Sequence, residues 1–409
     1  MQSQVLEHEK FIIIKLAKYL PDLLLHLSAA SYGEWGDGTV IQTPDTHQNI
    51  NVVHAAVLRT GWVMFIEAAC NVPVSRTPIW NPADGEIRLP LPPTENLYCC
   101  GHSFLSDGKL LAVGGGGENG QTPNPNFGWK FDPTNGPAGT WESTRDSMGN
   151  RTFMSFGRWY PTVVTLGYEP GRVLIASGHP SQMEIYDETT GTFSLVNVSG
   201  GDRSFSPLYP GLHLLPGGEI FHAPVGFRSG GSAPGDDPSN EVSGYFDFSG
   251  TLAGAWTNLG QNDRTKGMSA LMLSPTFPFA QVITVGGGNL ARSRTYQVIN
   301  LSTLSPAWGP EQNLPMAPGQ TEPTSRFNVN IVLLPDSTAF VSGAPPPASR
   351  AGCTTRRRTP GRRRPKLRAS ANTTRTRCCF HRVRLCHAGG QAIPSTSSAH
   401  PICSRAPAR

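Results

Sequence analysis

No stretch of this 409-residue chain has the ~20 consecutive apolar residues that a bilayer-spanning helix needs. The longest candidate, Phe11 to Leu27, is broken by Lys15, Lys18 and Asp22, so no transmembrane helix is predicted. Charge is sparse, with Asp, Glu, Lys and Arg at 15% of residues, far from the composition of a coiled coil. Cysteine is scarce where a fold would use it: the first 349 residues hold only Cys70, Cys99 and Cys100, which excludes a regular disulfide framework. Acid is missing altogether from Arg350 to Arg409, where 15 of the 34 Lys and Arg lie. That leaves 19 bases against all 29 acids in the first 349 residues, a net charge of −10.

Glycine and proline, by contrast, are plentiful: 45 and 37, together about a fifth of the chain, which suits many tight turns between short strands and excludes a helical bundle. One pattern recurs six times, an apolar strand, a tight turn, a second apolar strand and then small residues. The copies begin at His54, Gly101, Tyr160, Tyr209, Gly267 and Arg326, each a β-hairpin signal. Their turn residues Gly61, Gly108, Gly171, Gly218, Ala280 and Ser337 are spaced by 47, 63, 47, 62 and 57 residues. Between hairpins lies a second element ending in an aromatic or apolar residue: WNPADGEI from Trp80, FDPTNGPAGTW from Phe131, YDETTGTF from Tyr186, FDFSGTLAGAW from Phe246 and INLSTLSPAW from Ile299.

Four strands per ~50-residue repeat, with glycines after the second strand, predict an all-β chain folded as a kelch-type β-propeller. A lone four-stranded sheet cannot bury both faces, whereas radial stacking lets each blade cover the next. The domain boundaries follow from the repeat. Residues 1–32 form an N-terminal segment, 33–344 the propeller, and 345–409 a basic tail in which the pattern stops. A basic segment precedes Leu23, Leu24, Leu25 and Leu27, and Ser28-Ala29-Ala30-Ser31 follows. This fits a signal peptide, a short amphipathic helix or a start codon assigned too far upstream. The arginine-rich tail reads in three ways: a disordered solvated segment, a nucleic-acid-binding arm, or translation in the wrong frame. The last is preferred because the break falls inside a blade and would strand a sheet edge.

Cys99 lies nine residues before Gly108 and Tyr160 eleven before Gly171, whose hairpin has the longer turn, so the two occupy equivalent places in consecutive blades. Equivalent places face each other at one mouth of the central channel, where ligands collect. Tyr209, nine before Gly218, shares the offset and is read as a packing residue there. His54 and His102 begin innermost strands and are read as structural. CCFHRVRLCH from Cys378 has no zinc-finger spacing. Sequons stand at Asn150, Asn197, Asn300 and Asn372 and matter only in a secreted chain.

The segments YCCGHSFLSDG from Tyr98 and GRWYPTVVT from Gly157 resemble those of the copper radical oxidases, the galactose oxidase and glyoxal oxidase family. GEWGDG from Gly33 and RFNVNIVLLPD from Arg326 extend the resemblance over roughly residues 33 to 343. The resemblance implies a thioether between Cys99 and Tyr160, with Cys100 the less favoured partner. It implies Tyr160 as a copper ligand and radical site, and His179 near the position of an aromatic that stacks over the cross-link. It further implies a Cu(II) cofactor, a small alcohol, aldehyde or carbohydrate substrate, O2 as oxidant with H2O2 as product, an extracellular location and no nucleic-acid partner; the chain is expected to be a monomer. The family carries an axial tyrosine and two histidines further along, and a seven-bladed ring. Here Tyr296 is the last tyrosine and His381, His387 and His400 lie in the basic tail. The expectation is therefore about five and a half of seven blades, an incomplete copper site, poor solubility or a partial fold, and no oxidase activity from this chain. The rival expectation is a non-enzymatic kelch scaffold.

Overall fold

The computed structural model describes residues 41–42, 50, 52–67, 74–116, 125–167, 171–178, 182–199, 208–226, 242–247, 253–262, 264–272, 280–316, 321–334 and 339–344. The N-terminal segment, the basic tail and His179 lie outside them. The described chain is all-β, with five four-stranded blades arranged as a propeller and one further hairpin.

Blade 1 is β1 (Val52–Val57), β2 (Val63–Glu67), β3 (Ile79–Trp80) and β4 (Ile87–Arg88), hydrogen-bonded in that order. Blade 2 is β5 (Gly101–Phe104), β6 (Leu110–Val113), β7 (Gly128–Asp132) and β8 (Thr140–Ser143). Blade 3 follows as β9 (Pro161–Leu166), β10 (Arg172–Ser177), β11 (Met183–Asp187) and β12 (Thr192–Ser199). In blade 4, β13 (Gly211–Leu214) and β14 (Ile220–Ala223) are followed by the short β15 (Val225–Gly226), then β16 (Val242–Asp247) and β17 (Ala253–Gln261). Short β18 (Arg264–Thr265) pairs in parallel with β15. Blade 5 is β19 (Met268–Met272), β20 (Gln281–Val285), β21 (Thr295–Asn300) and β22 (Gln312–Asn313), and β23 (Phe327–Leu333) with β24 (Ala339–Ala344) closes the described chain.

Every expected hairpin forms, with its turn glycine in the left-handed region at Gly61, Gly108, Gly171 and Gly218. The second recurring element supplies the outer strands of each blade. In blade 5 its terminal Trp308 only bridges to Ile299, and the outermost strand comes four residues later. Second strands are the driest part: Leu110 to Val113 and Val173 to Ala176 are wholly buried. Their apolar residues pack into the next blade. Leu111 and Val113 meet Val173 and Ile175, and Leu174 and Ala176 meet Leu212 and Ile220.

Innermost strands are stitched across blades. Ser103 and Thr165 share a hydroxyl hydrogen bond of 2.7 Å, Thr162 donates to the Pro210 carbonyl at 2.8 Å, and His213 Nε2 lies 2.7 Å from Ser269 Oγ. Side chains are excluded where these strands crowd: a Cβ on Gly101 would stand 2.5 Å from the Pro161 carbonyl oxygen. Blades 3 and 4 are also joined at the rim, where Asn197–Ser199 pair in parallel with Ala253–Ala255 and fuse the two into one eight-stranded sheet. Among the described residues no helix is long and apolar enough to cross a membrane.

Candidate functional site

Consecutive blades enter their innermost strands through one strained residue each. Cys99, Tyr160, Tyr209, Lys266 and Asn328 have φ of 64, 64, 53, 65 and 50°. The left-handed region costs a non-glycine residue about 1–3 kcal/mol and persists only where neighbours hold it. For the first three, the neighbours are one another. The Tyr160 N–H donates to the Cys99 carbonyl and the Tyr209 N–H to the Tyr160 carbonyl, both at 3.0 Å. Further round, Lys266 N–H donates to Gly226 at 2.5 Å and Val329 N–H to Lys266 at 3.5 Å. Cys99, Tyr160 and Tyr209 thus form a three-step hydrogen-bonded stair of equivalent positions carrying a thiol and two phenols, whereas Lys266 bonds to Gly226 instead of the Tyr209 step.

Those three side chains meet. Tyr98, Cys99, Tyr160 and Leu208 form one buried cluster, against which Val53, Trp159 and Tyr209 pack. The Trp159 indole stacks on the Tyr160 ring with centroids 3.9 Å apart and planes 23° apart, and the Tyr209 ring lies 4.7 Å away on a tilt. The Tyr209 hydroxyl donates to the Cys100 carbonyl at 3.0 Å. Burial, and secondarily the neighbouring Cys99, Cys100 and Tyr160, hold the Tyr209 phenol well above its ordinary pKa. Burial likewise pushes the Cys100 thiol up to about 12, so it stays protonated at neutral pH and is a poor nucleophile.

The segment carrying Trp159 and Tyr160 is anchored by Arg158. Its guanidinium and the Glu184 carboxylate are both fully buried and 2.8 Å apart. Arg158 also donates to the Ser177 carbonyl at 2.8 Å and the Gln182 carbonyl at 2.7 Å, while Glu184 accepts the Ser155 N–H at 2.6 Å. On the other side, the Arg158 carbonyl accepts the Gly115 N–H at 3.0 Å, an approach open only because Gly114 lacks a side chain: a Cβ there would stand 2.5 Å from the Arg158 carbonyl oxygen. The same device recurs two residues before Lys266 and Asn328. Arg264 donates to Gly286 and Arg326 to Gly343, and the Arg326 carbonyl accepts from Gly287. In the sequence Arg158 stands out only as part of a matching motif, and the arginine repeat emerges from the fold alone.

His54 and His102, from blades 1 and 2, meet edge to face with centroids 5.2 Å apart, and the Tyr209 hydroxyl is 3.5 Å from His54 Nε2. Burial lowers His102 to about 4, so its imidazole is neutral. A tetragonal copper site of the expected kind needs two imidazole nitrogens beside its phenol oxygens. Among the described residues no group of three or more His, Cys, Asp and Glu converges, and Tyr160 is surrounded by Trp159, Tyr209, Tyr98 and Cys99. The described donors around Tyr160 do not make up that set.

No family model matches the chain. Over 137 residues it is 33% identical to a protein from Vitis pseudoreticulata named aldehyde oxidase GLOX. In that stretch the chain resembles an aldehyde oxidase. The match covers 32% of this chain and 24% of that protein, so the chain spans about a quarter of the relative it matches. Among solved structures, it is similar to a functionally unknown protein from Desulfotomaculum acetoxidans DSM 771, at 13% identity over 65% of this chain and 69% of that one, with a TM-score of 0.36. It is also similar to a chain of RAG in complex with one melted and one unmelted RSS, at 11% identity over 71% and 95%, with a TM-score of 0.41.

Proposed function

We propose that this chain is a propeller of the copper radical oxidase type that keeps the cross-linking pair of that chemistry, Cys99 and Tyr160. The complete site would oxidise small primary alcohols or aldehydes with O2 and release H2O2. The observation that supports the reading is the meeting of Cys99 and Tyr160 in one buried cluster at equivalent steps of the stair, with Trp159 stacked on the phenol. The aldehyde oxidase resemblance supports it independently. An indole face on the phenol and a thioether beside its oxygen would both delocalise an oxidised tyrosine. An oxidase of this kind would act outside the cell.

As written, the sequence after Tyr296 holds no tyrosine and its remaining histidines lie in the arginine-rich stretch, so H2O2 release from aldehydes is expected to stay at the copper-only background. The test is peptide mass mapping after exposure to copper and O2. Joining Cys99 Sγ to the Tyr160 ring removes two hydrogens, with O2 taking up the two electrons and two protons. The expected result is a linked Cys99–Tyr160 peptide lighter by two hydrogens and a Cys99 that resists alkylation after unfolding. Two separate peptides with Cys99 fully alkylated would overturn the reading and leave a kelch scaffold.

A further inference from the structure

Beside that pair, three blades bring together two imidazoles and a phenol. We propose that His54, His102 and Tyr209 form a binding site for a divalent first-row transition metal, distinct from the copper donors considered above. His54 comes from β1, His102 from β5 and Tyr209 from the stair position before β13, so the tertiary fold, not local sequence, brings them together. The His54 and His102 rings lie 5.2 Å apart, the His54 and Tyr209 rings 6.1 Å apart, and the Tyr209 hydroxyl 3.5 Å from His54 Nε2. All three side chains are half-buried, which leaves an approach from solvent while limiting competing water.

Two imidazole nitrogens and one phenol oxygen are a donor set for cobalt, zinc, nickel or copper, not for calcium or magnesium, which take oxygen ligands. The Cys100 carbonyl, 3.0 Å from the Tyr209 hydroxyl, adds an oxygen at the same spot. Binding would exchange the Tyr209 hydroxyl proton for the metal and release that proton to solvent. The metal would then sit one ring away from Tyr160, whose centroid is 4.7 Å from that of Tyr209.

Cobalt(II) titration of the full chain, with accessible thiols alkylated beforehand, tests this. The expected result is one equivalent bound with the visible bands of nitrogen and oxygen ligation and no thiolate charge-transfer band. His54→Gln, His102→Gln and Tyr209→Phe should each weaken that equivalent at least tenfold while the far-ultraviolet circular dichroism is unchanged. Absence of nitrogen-and-oxygen-type bands in the unaltered chain overturns the proposal, whatever the variants do. Bands that persist at unchanged affinity in the three variants also overturn it and place the cobalt elsewhere, as on His381 or His387. Cobalt binding and the Cys99–Tyr160 mass change are read separately, so either proposal can fail without the other.

Discussion

Arg158 holds the site through an ion pair that is buried on both sides. Replacing it with Met would leave Glu184 buried and charged without its partner, a loss of about 3–5 kcal/mol. Adding Glu184→Gln should recover part of it, because the stranded charge rather than the missing contact dominates. Urea unfolding of Arg158→Met alone and with Glu184→Gln measures both, and equal midpoints for the two would show that the charge is not what matters. Cys99 and Tyr160 were legible because each sits at a countable distance from a turn glycine. Arg158, Arg264 and Arg326 were not, since they precede Gly171, Ala280 and Ser337 by 13, 16 and 11 residues as the hairpins vary in length. The Trp159 stack was hidden for another reason. The stack lies ahead of β9, where Tyr160 takes a φ of 64° that no alternating pattern encodes.

Hairpins were the readable element, because alternation and turn chemistry are local. The rim pairing of β12 with β17 was not, since 53 residues carrying the strands β13 to β16 separate Ser199 from Ala253, and nothing in either segment specifies a parallel partner. The last hairpin shows what an uncovered element loses. In β20, Val282 and Val285 are wholly buried, whereas Val332 of β23 is 55% exposed and Phe340 of β24 is 37% exposed. Among the described residues β24 has no outer neighbour, while β20 has β21. Amides of β23 and β24 should therefore exchange with solvent on the order of 100-fold faster than those of β6 and β10, which are flanked on both sides. Hydrogen exchange read by mass spectrometry decides it. Equal protection would mean that an outer strand outside the described residues covers β24.

At the scale of the molecule, burial of imidazoles in two innermost strands sets a pH limit on the whole propeller. Burial lowers His102 in blade 2 and His213 in blade 4 each to about 4 from an ordinary value of 6.5. Between those values the unfolded chain binds protons that the folded chain refuses, so stability is complete above about 6.5 and falls as the pH drops toward 4. The loss is up to about 3 kcal/mol for each group, since one pKa unit is worth 1.36 kcal/mol. Carboxylates held low by their partners against the cost of burial, such as Asp187 by the Thr189 amide and then Arg172, begin to lose their contribution only near their ordinary value of 3.8. The histidine window can thus be measured separately. Because desolvation and not charge repulsion is the cause, added salt should not restore the stability lost. The expected urea midpoint falls steadily from pH 7 to 4.5, equally at low and high salt, and flattens when His102→Asn and His213→Asn are combined. A midpoint that holds to pH 5 would show that both imidazoles take up protons in the folded chain as readily as in the unfolded one.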